Sequence, residues 1–190
     1  MTLNLPVEDA ANELLSRSPF ALLLAMMLDQ QVPLEKAFSS PYQLAVRLGH
    51  EPTPAELAGF DPDALAEVFS QRPALHRFPK AMAARSQELA RQIVEHYDGN
   101  AAEVWTGATS GKDLVARLGK LAGFGGYKAQ ITAALLGKQF GVRPEGWREA
   151  AGHFGTDGSH YSVADIVDDT SLAAVRAYKK DLKAAAKAAG

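Results

Sequence analysis

The sequence contains no cysteine, which excludes disulfide bonds, thiolate metal sites and cysteine-held iron–sulfur clusters. It also lacks an apolar run of the ~20 residues that a membrane-spanning helix needs. The run Phe20–Leu28 is too short and is followed by Asp29. The N-terminal segment lacks the basic and then apolar order of a secretion signal. These absences predict a cytoplasmic protein that does not associate with membranes.

Alternation of apolar and polar residues, the pattern of a half-buried strand, is almost absent. Alanine-rich, helix-forming segments fill most of the 190 residues instead. Thr53-Pro54-Ala55-Glu56 has the pattern of a capping box with proline at the first helical position. Ser110, with Asp113 three residues later, begins another helix. The sequence predicts an all-α protein with many short helices.

Charge is unevenly distributed, although the net charge is only −2. Residues 1–71 carry ten acidic and three basic side chains, whereas residues 112–148 carry seven basic and two acidic ones. A positive field of this kind favours a polyanionic partner. The alternative is a solvated surface that happens to be basic.

The segment Leu118–Gln139 predicts two helices joined by a turn of small residues. The first helix ends near Gly119, and the second begins near Tyr127. Glycine leaves backbone amides accessible, and amides at a helix N-terminus attract anions. We therefore predict a helix-hairpin-helix that binds a nucleic-acid phosphate. The predicted DNA-binding residues of this hairpin are Lys120, Gly123, Gly125, Gly126 and Lys128.

A second unusual segment follows the apolar helix, where Gln30 and Gln31 precede Pro33. Proline disfavours helix at the residue before it, so the chain is predicted to turn here. An amide side chain both donates and accepts hydrogen bonds, so it can partly replace lost base pairing. The alternative is that the two glutamines only cap the end of the helix.

The hairpin LAGFGGYKAQI at Leu121–Ile131 resembles the L-P-G-V-G-x-K-T-A hairpin of the helix-hairpin-helix (HhH-GPD) DNA glycosylase superfamily, with Ala122 in place of the proline. Leu22–Pro33 resembles the superfamily helix that ends in a glutamine-containing turn, and Lys80–Asn100 resembles the helix before the hairpin. Within that superfamily, the sequence is similar to small bacterial base-excision-repair proteins without an iron–sulfur cluster. The three segments, in the same order, cover roughly residues 20–141.

The resemblance implies two helical parts with a cleft between them. Residues 20–139 would form a helical barrel part that carries the hairpin at 111–139. Residues 1–19 and 140–190, from both termini, would form the second part. Double-stranded DNA with a damaged base would bind across the cleft, and one nucleotide would rotate out of the stack.

The resemblance also assigns roles to individual residues. Gln31 would fill the gap left by the extruded base, and Gln30 would support the turn or contact the orphan base. Tyr127 occupies the position of the Schiff-base lysine, and a phenol cannot form an imine. Lys128 is turned by roughly 100° on the helix, so it should face elsewhere. We therefore expect water as the nucleophile and no lyase activity. Tyr127 would stack on the extruded base or pack the hairpin.

A carboxylate is needed to stabilise the oxocarbenium character that develops on the sugar. Glu145 lies in the window where the family has an aspartate, so it is the predicted catalytic acid, and Asp29 and Glu35 are alternatives.

The expected protein is a monomeric, monofunctional DNA N-glycosylase. We expect no metal and no cofactor except a monovalent cation at the hairpin. A non-catalytic binder of damaged or structured DNA and a helical protein-interaction domain are the alternative functions.

Overall fold

The computed structural model describes residues 3–188, and within that range every regular element is helical. The prediction of an all-α protein is confirmed. Two short 3-10 helices, Gly152–Gly155 and Val163–Asp165, lie between the last two α-helices. The α-helices are α1 (Asp9–Arg17), α2 (Pro19–Leu28), α3 (Leu34–Leu48), α4 (Pro54–Gly59), α5 (Pro62–Ser70), α6 (Pro79–Tyr97), α7 (Glu103–Thr106), α8 (Gly111–Gly119), α9 (Gly126–Gln139), α10 (Trp147–Ala150) and α11 (Asp169–Ala188).

The predicted helix starts are present. Thr53 accepts a hydrogen bond from the Glu56 amide, and the Glu56 carboxylate accepts one from the Thr53 amide, so the capping box is complete. The Ser110 hydroxyl accepts from the Asp113 amide at 3.1 Å and begins α8. α6 ends at Tyr97, and the next residue, Asp98, adopts a left-handed conformation with φ of 51°. These local signals fix helix boundaries because each supplies a partner for an unpaired backbone group.

The centre of the molecule is α2, whose residues from Phe20 to Leu28 are all buried. It packs against α1, α3 and α6, while α4 and α5 cover the other part of α6. α9 is the second deeply buried helix and packs against α8, α10 and both 3-10 helices. A single continuous apolar core joins these elements. A helix that is apolar on all sides is stable only in such an interior position.

The N-terminal segment contacts the segment before α11, because the Asn4 side-chain amide donates to the Val167 carbonyl at 3.0 Å. The division into residues 20–139 and a second part from both termini stays a prediction, as does the cleft between them; residues 1–2 and 189–190 lie outside the described range. Over residues 3–188, no helix combines the length and the apolarity that crossing a bilayer requires.

Candidate nucleic-acid interface

The predicted hairpin is formed by α8 and α9 and by a tight turn between them. The Leu121 amide donates to the Leu118 carbonyl at 3.1 Å, and the Phe124 amide donates to the Leu121 carbonyl at 3.0 Å. Leu121 and Phe124 are buried and anchor the turn to the core. Gly123 has a φ of 80°, a conformation that glycine adopts without strain. The turn is therefore rigid, and its backbone geometry requires glycine at one position.

The start of α9 presents backbone amides to solvent. Gly125 precedes the helix and is extended, and no side chain caps the helix at this end. Within the described chain, the amides of Gly126, Tyr127 and Lys128 donate to no protein acceptor. Gly125 and Gly126 are exposed, and a Cβ atom on either would meet nothing within 4 Å. Open amides at a helix N-terminus form a ready anion site.

The glutamine turn follows directly from the end of α2. Gln31 is exposed and has a φ of 55°, which is uncommon for a residue with a side chain. Gln30 instead folds back, and its Nε2 donates to the Met27 carbonyl at 2.8 Å. The two glutamines therefore differ: Gln30 holds the turn, and Gln31 projects at its tip. This arrangement is compatible with the roles that the resemblance implies for them, which stay predictions.

A buried histidine on the segment before α6 fixes the turn. The His76 Nε2 lies 3.1 Å from the Leu28 carbonyl and 3.0 Å from the Gln30 carbonyl. Because carbonyls only accept, Nε2 carries the proton, and Nδ1 accepts from the Phe78 amide at 3.0 Å. Burial lowers the pKa of His76, which favours this neutral form. The sequence alone gave no reason to connect His76 with the glutamines.

The hairpin and the glutamine turn meet at the end of α2. A Cβ atom at Gly123 would lie 2.5 Å from the Met27 Cγ and 2.9 Å from the Arg85 Cδ, so the two segments are in tight contact. The Lys128 Nζ donates to the Met27 carbonyl at 3.1 Å. The Arg85 Nη1 donates to the Gln30 Oε1 at 3.2 Å. The structure thus brings together three residues that the sequence singled out in two separate motifs, namely Gly123 and Lys128 of the hairpin and Gln30 of the glutamine turn.

Lys128 faces inward, away from the exposed side of α9. Burial lowers its pKa to about 8, and the nearby Asp29 carboxylate opposes that change. Burial also raises the pKa of Asp29, and Lys179 and Lys128 oppose that rise. A cation at the C-terminus of α2 is favourable, because the last carbonyls carry partial negative charge. A phosphate contact by Lys128 stays a prediction, since its ammonium group already caps α2.

Tyr127 points the other way and is 63% exposed. Its ring makes an edge-on contact with Phe154, with 5.0 Å between ring centroids. Most of the ring surface is accessible, and it lies one residue from the open amide of Gly126. Stacking on an extruded base stays a prediction for this residue.

Glu145 lies at the opposite end of the hairpin. It is exposed, and its carbonyl accepts from the Gly111 amide at 2.7 Å, at the start of α8. The neighbouring Trp147 covers Gly137, which is roughly three helical turns, on the order of 16 Å, from the start of α9. The structure does not bring Glu145 beside Tyr127. Its catalytic role stays a prediction that this placement does not support.

The basic field around the hairpin is smaller than the sequence indicated. Lys138 pairs with Asp165 at 2.6 Å, Arg148 pairs with Asp157 at 2.8 Å, and Arg117 pairs with Asp113 at 3.0 Å. With Lys128 turned inward, the exposed bases of residues 112–148 are Lys112, Lys120 and Arg143. Local carboxylates neutralise the others, which explains the difference.

Arg85 adds positive charge to this surface. It is exposed and lies between Gly123 and Gln30. From the sequence, Arg85 and Arg77 are only unspecific candidates for a phosphate contact, because α6 reaches the hairpin only through the tertiary fold.

No group of three or more potential metal ligands occurs among residues 3–188. A monovalent cation at the hairpin stays a prediction. Comparison with family models, with curated proteins and with solved structures gives no match to this chain.

Proposed function

We propose that this protein binds damaged duplex DNA through the hairpin and the glutamine turn, as a base-excision-repair protein of the helix-hairpin-helix glycosylase type. One observation supports the proposal above all others. The open amides at the start of α9 and the exposed, left-handed Gln31 are held together by Gly123, Lys128 and Met27. An anion site beside a projecting amide side chain suits a phosphate beside a disrupted base pair.

In this proposal the open amides at the start of α9 hold a backbone phosphate, and Arg85 and Lys120 add charge. Contacts of this kind fix position and orientation rather than sequence. Gln31 enters the base stack where a damaged nucleotide has left it. Extrusion costs a few kcal/mol, least for a damaged or mispaired base, and this difference selects the lesion. Water then hydrolyses the N-glycosidic bond, since Tyr127 cannot form an imine.

The second candidate function is a non-catalytic binder of damaged DNA. The distant, exposed position of Glu145 favours it, because a carboxylate there cannot reach a sugar held near Tyr127. The two candidates share the binding surface and differ only in whether a base is released.

The binding surface is tested by charge reversal at one exposed glycine. We expect Gly125→Glu to reduce the affinity for a duplex with an abasic-site analogue by about tenfold or more, because a carboxylate would occupy the anion site. Gly59→Glu is the matched control, since Gly59 is also exposed with open space around its Cβ position. Equal affinities for the two variants, or binding that is independent of salt, would favour a protein-interaction domain.

The reaction is tested by assaying release of a free base from duplexes that carry alkylated, deaminated or oxidised bases. Release without a covalent adduct on borohydride treatment is the expected result for a monofunctional enzyme. Binding without release from any duplex would support the non-catalytic function, and a trapped adduct would point to Lys128 as a nucleophile.

A further inference from the structure

A cavity of about 500 Å³ lies between the glutamine turn and α11. One side is formed by the turn and the start of α3, and the other by α11 and the segment before it. Its apolar lining residues are Val32, Leu34, Ile166, Leu172 and Val175. A volume of this order accommodates a small planar ring. None of the residues of the proposed binding surface lines this cavity.

Asp29 is a partly buried carboxylate that lines the cavity. Its environment is set by burial and by the charges of Lys179 and Lys128, with no hydrogen bond to its carboxylate among residues 3–188. A partly exposed carboxylate that lines a cavity and makes no hydrogen bond to these residues can accept hydrogen bonds from water or from a ligand. Glu35, which also lines the cavity, is less suitable because it pairs with Arg176.

The rim of the cavity is basic. Lys179, Lys180 and Lys183 lie along one side of α11. An exposed ion pair between Arg176 and Glu35 joins α11 to α3. Exposed pairs of this kind contribute little to stability, so this one is easily opened. A carboxylate in the cavity, with ammonium groups along one side of the rim, suits a nucleotide whose phosphates would lie outside and whose sugar and base would lie inside.

The cavity is next to the proposed wedge. Asp29 is two residues before Gln31, so their Cα atoms are at most about 7 Å apart. In the proposed complex, a nucleotide displaced by Gln31 would leave the stack close to the cavity. Glu145, by contrast, lies at the far end of the hairpin.

We propose that Asp29 is the catalytic carboxylate, and that the cavity between the glutamine turn and α11 receives the extruded nucleobase. This inference rests on the proposed glycosylase function and moves the reacting centre from the residues after the hairpin to the end of α2.

The reaction balances as a hydrolysis. The bond between C1′ and the base nitrogen breaks, and its electron pair stays on the base. The water oxygen bonds to C1′, and the Asp29 carboxylate takes a proton from that water. The base nitrogen takes a proton from solvent, and Asp29 returns its proton to solvent. Burial raises the pKa of Asp29, which makes its carboxylate a stronger base than an exposed aspartate.

The test compares Asp29→Asn with Glu145→Gln, two replacements that preserve shape and remove charge. Single-turnover base release and DNA affinity are measured for each on a duplex that the wild-type protein cleaves. We expect Asp29→Asn to slow release at least about a hundredfold with an affinity within about threefold of wild type. Glu145→Gln should retain release within about threefold. Release by Asp29→Asn near the wild-type rate, or loss of release in Glu145→Gln alone, would overturn the proposal.

A second measurement separates chemistry from folding. Added formate should restore release in Asp29→Ala, because a small carboxylate fits the enlarged cavity, and it should have no effect on Glu145→Ala. Failure of formate to restore release in a folded Asp29→Ala variant, checked by its thermal unfolding midpoint, would overturn the assignment. If wild type binds damaged DNA and releases no base from any duplex, this inference fails while the proposed binding surface remains.

Discussion

The two ends of the hairpin use glycine for opposite purposes. At the far end, a Cβ atom on Gly111 would lie 2.4 Å from the Gly146 carbonyl oxygen, and one on Gly137 would lie 2.3 Å from the Trp147 ring. At the turn end, a Cβ atom on Gly125 or on Gly126 would have no neighbouring atom within 4 Å. The first pair allows close packing, and the second leaves amides open. Close packing explains the glycines at the far end, whereas no packing contact requires glycine at the turn end, which is compatible with the proposed phosphate contact.

The largest expected effect is at the packed end. Gly111→Ala should lower the free energy of unfolding by about 3 kcal/mol, because the new methyl group meets backbone atoms that have no rotamer to change. Gly126 is the first residue of α9, the other helix of the hairpin. Gly126→Ala should change the free energy of unfolding by less than about 0.5 kcal/mol. Urea unfolding of both variants measures the difference. Similar losses in the two variants would show that the ends do not differ in packing.

The second largest effect is expected at His76, which contacts the backbone of the glutamine turn. His76→Leu should lower the free energy of unfolding by about 2 kcal/mol, because two backbone carbonyls lose the imidazole donor. The Gln30 carbonyl would have no donor left, and the Leu28 carbonyl would keep only the Gln30 amide. Unfolded His76 binds a proton below its ordinary pKa of 6.5, whereas burial holds the folded pKa lower. Wild type should therefore lose stability relative to His76→Leu as the pH falls below about 6.5. Parallel pH profiles would contradict this assignment.

The smallest effect has the opposite sign. Gln31→Gly should raise the free energy of unfolding by about 1 kcal/mol, since glycine adopts the left-handed conformation without strain. The same change should weaken binding to an abasic-site duplex more than binding to an intact duplex, because the side chain at the tip is lost. Calorimetry and duplex titrations test the two statements separately. A destabilised variant would show that Gln31 contributes packing that its exposure does not indicate.

Local signals made the helices and the hairpin predictable from sequence. The capping box at Thr53, the start of α8 at Ser110 and the glycine spacing of the turn each act over a few residues. The contacts of His76 and Arg85 with the glutamine turn join residues about fifty positions apart. No periodicity encodes such a contact, so these residues could be assigned only from the fold. The same reason applies to Lys138, whose ion pair with Asp165 removed it from the expected basic surface.

The burial of α2 on every side has a mechanical consequence. A helix that is enclosed from Phe20 to Leu28, with Lys128, Gln30 and His76 donating to its last carbonyls, has no direction in which to slide. A force on the residue that follows α2 is therefore transmitted to the packed apolar core. In the proposed complex the protein therefore stays rigid at the point of insertion, and the duplex must kink.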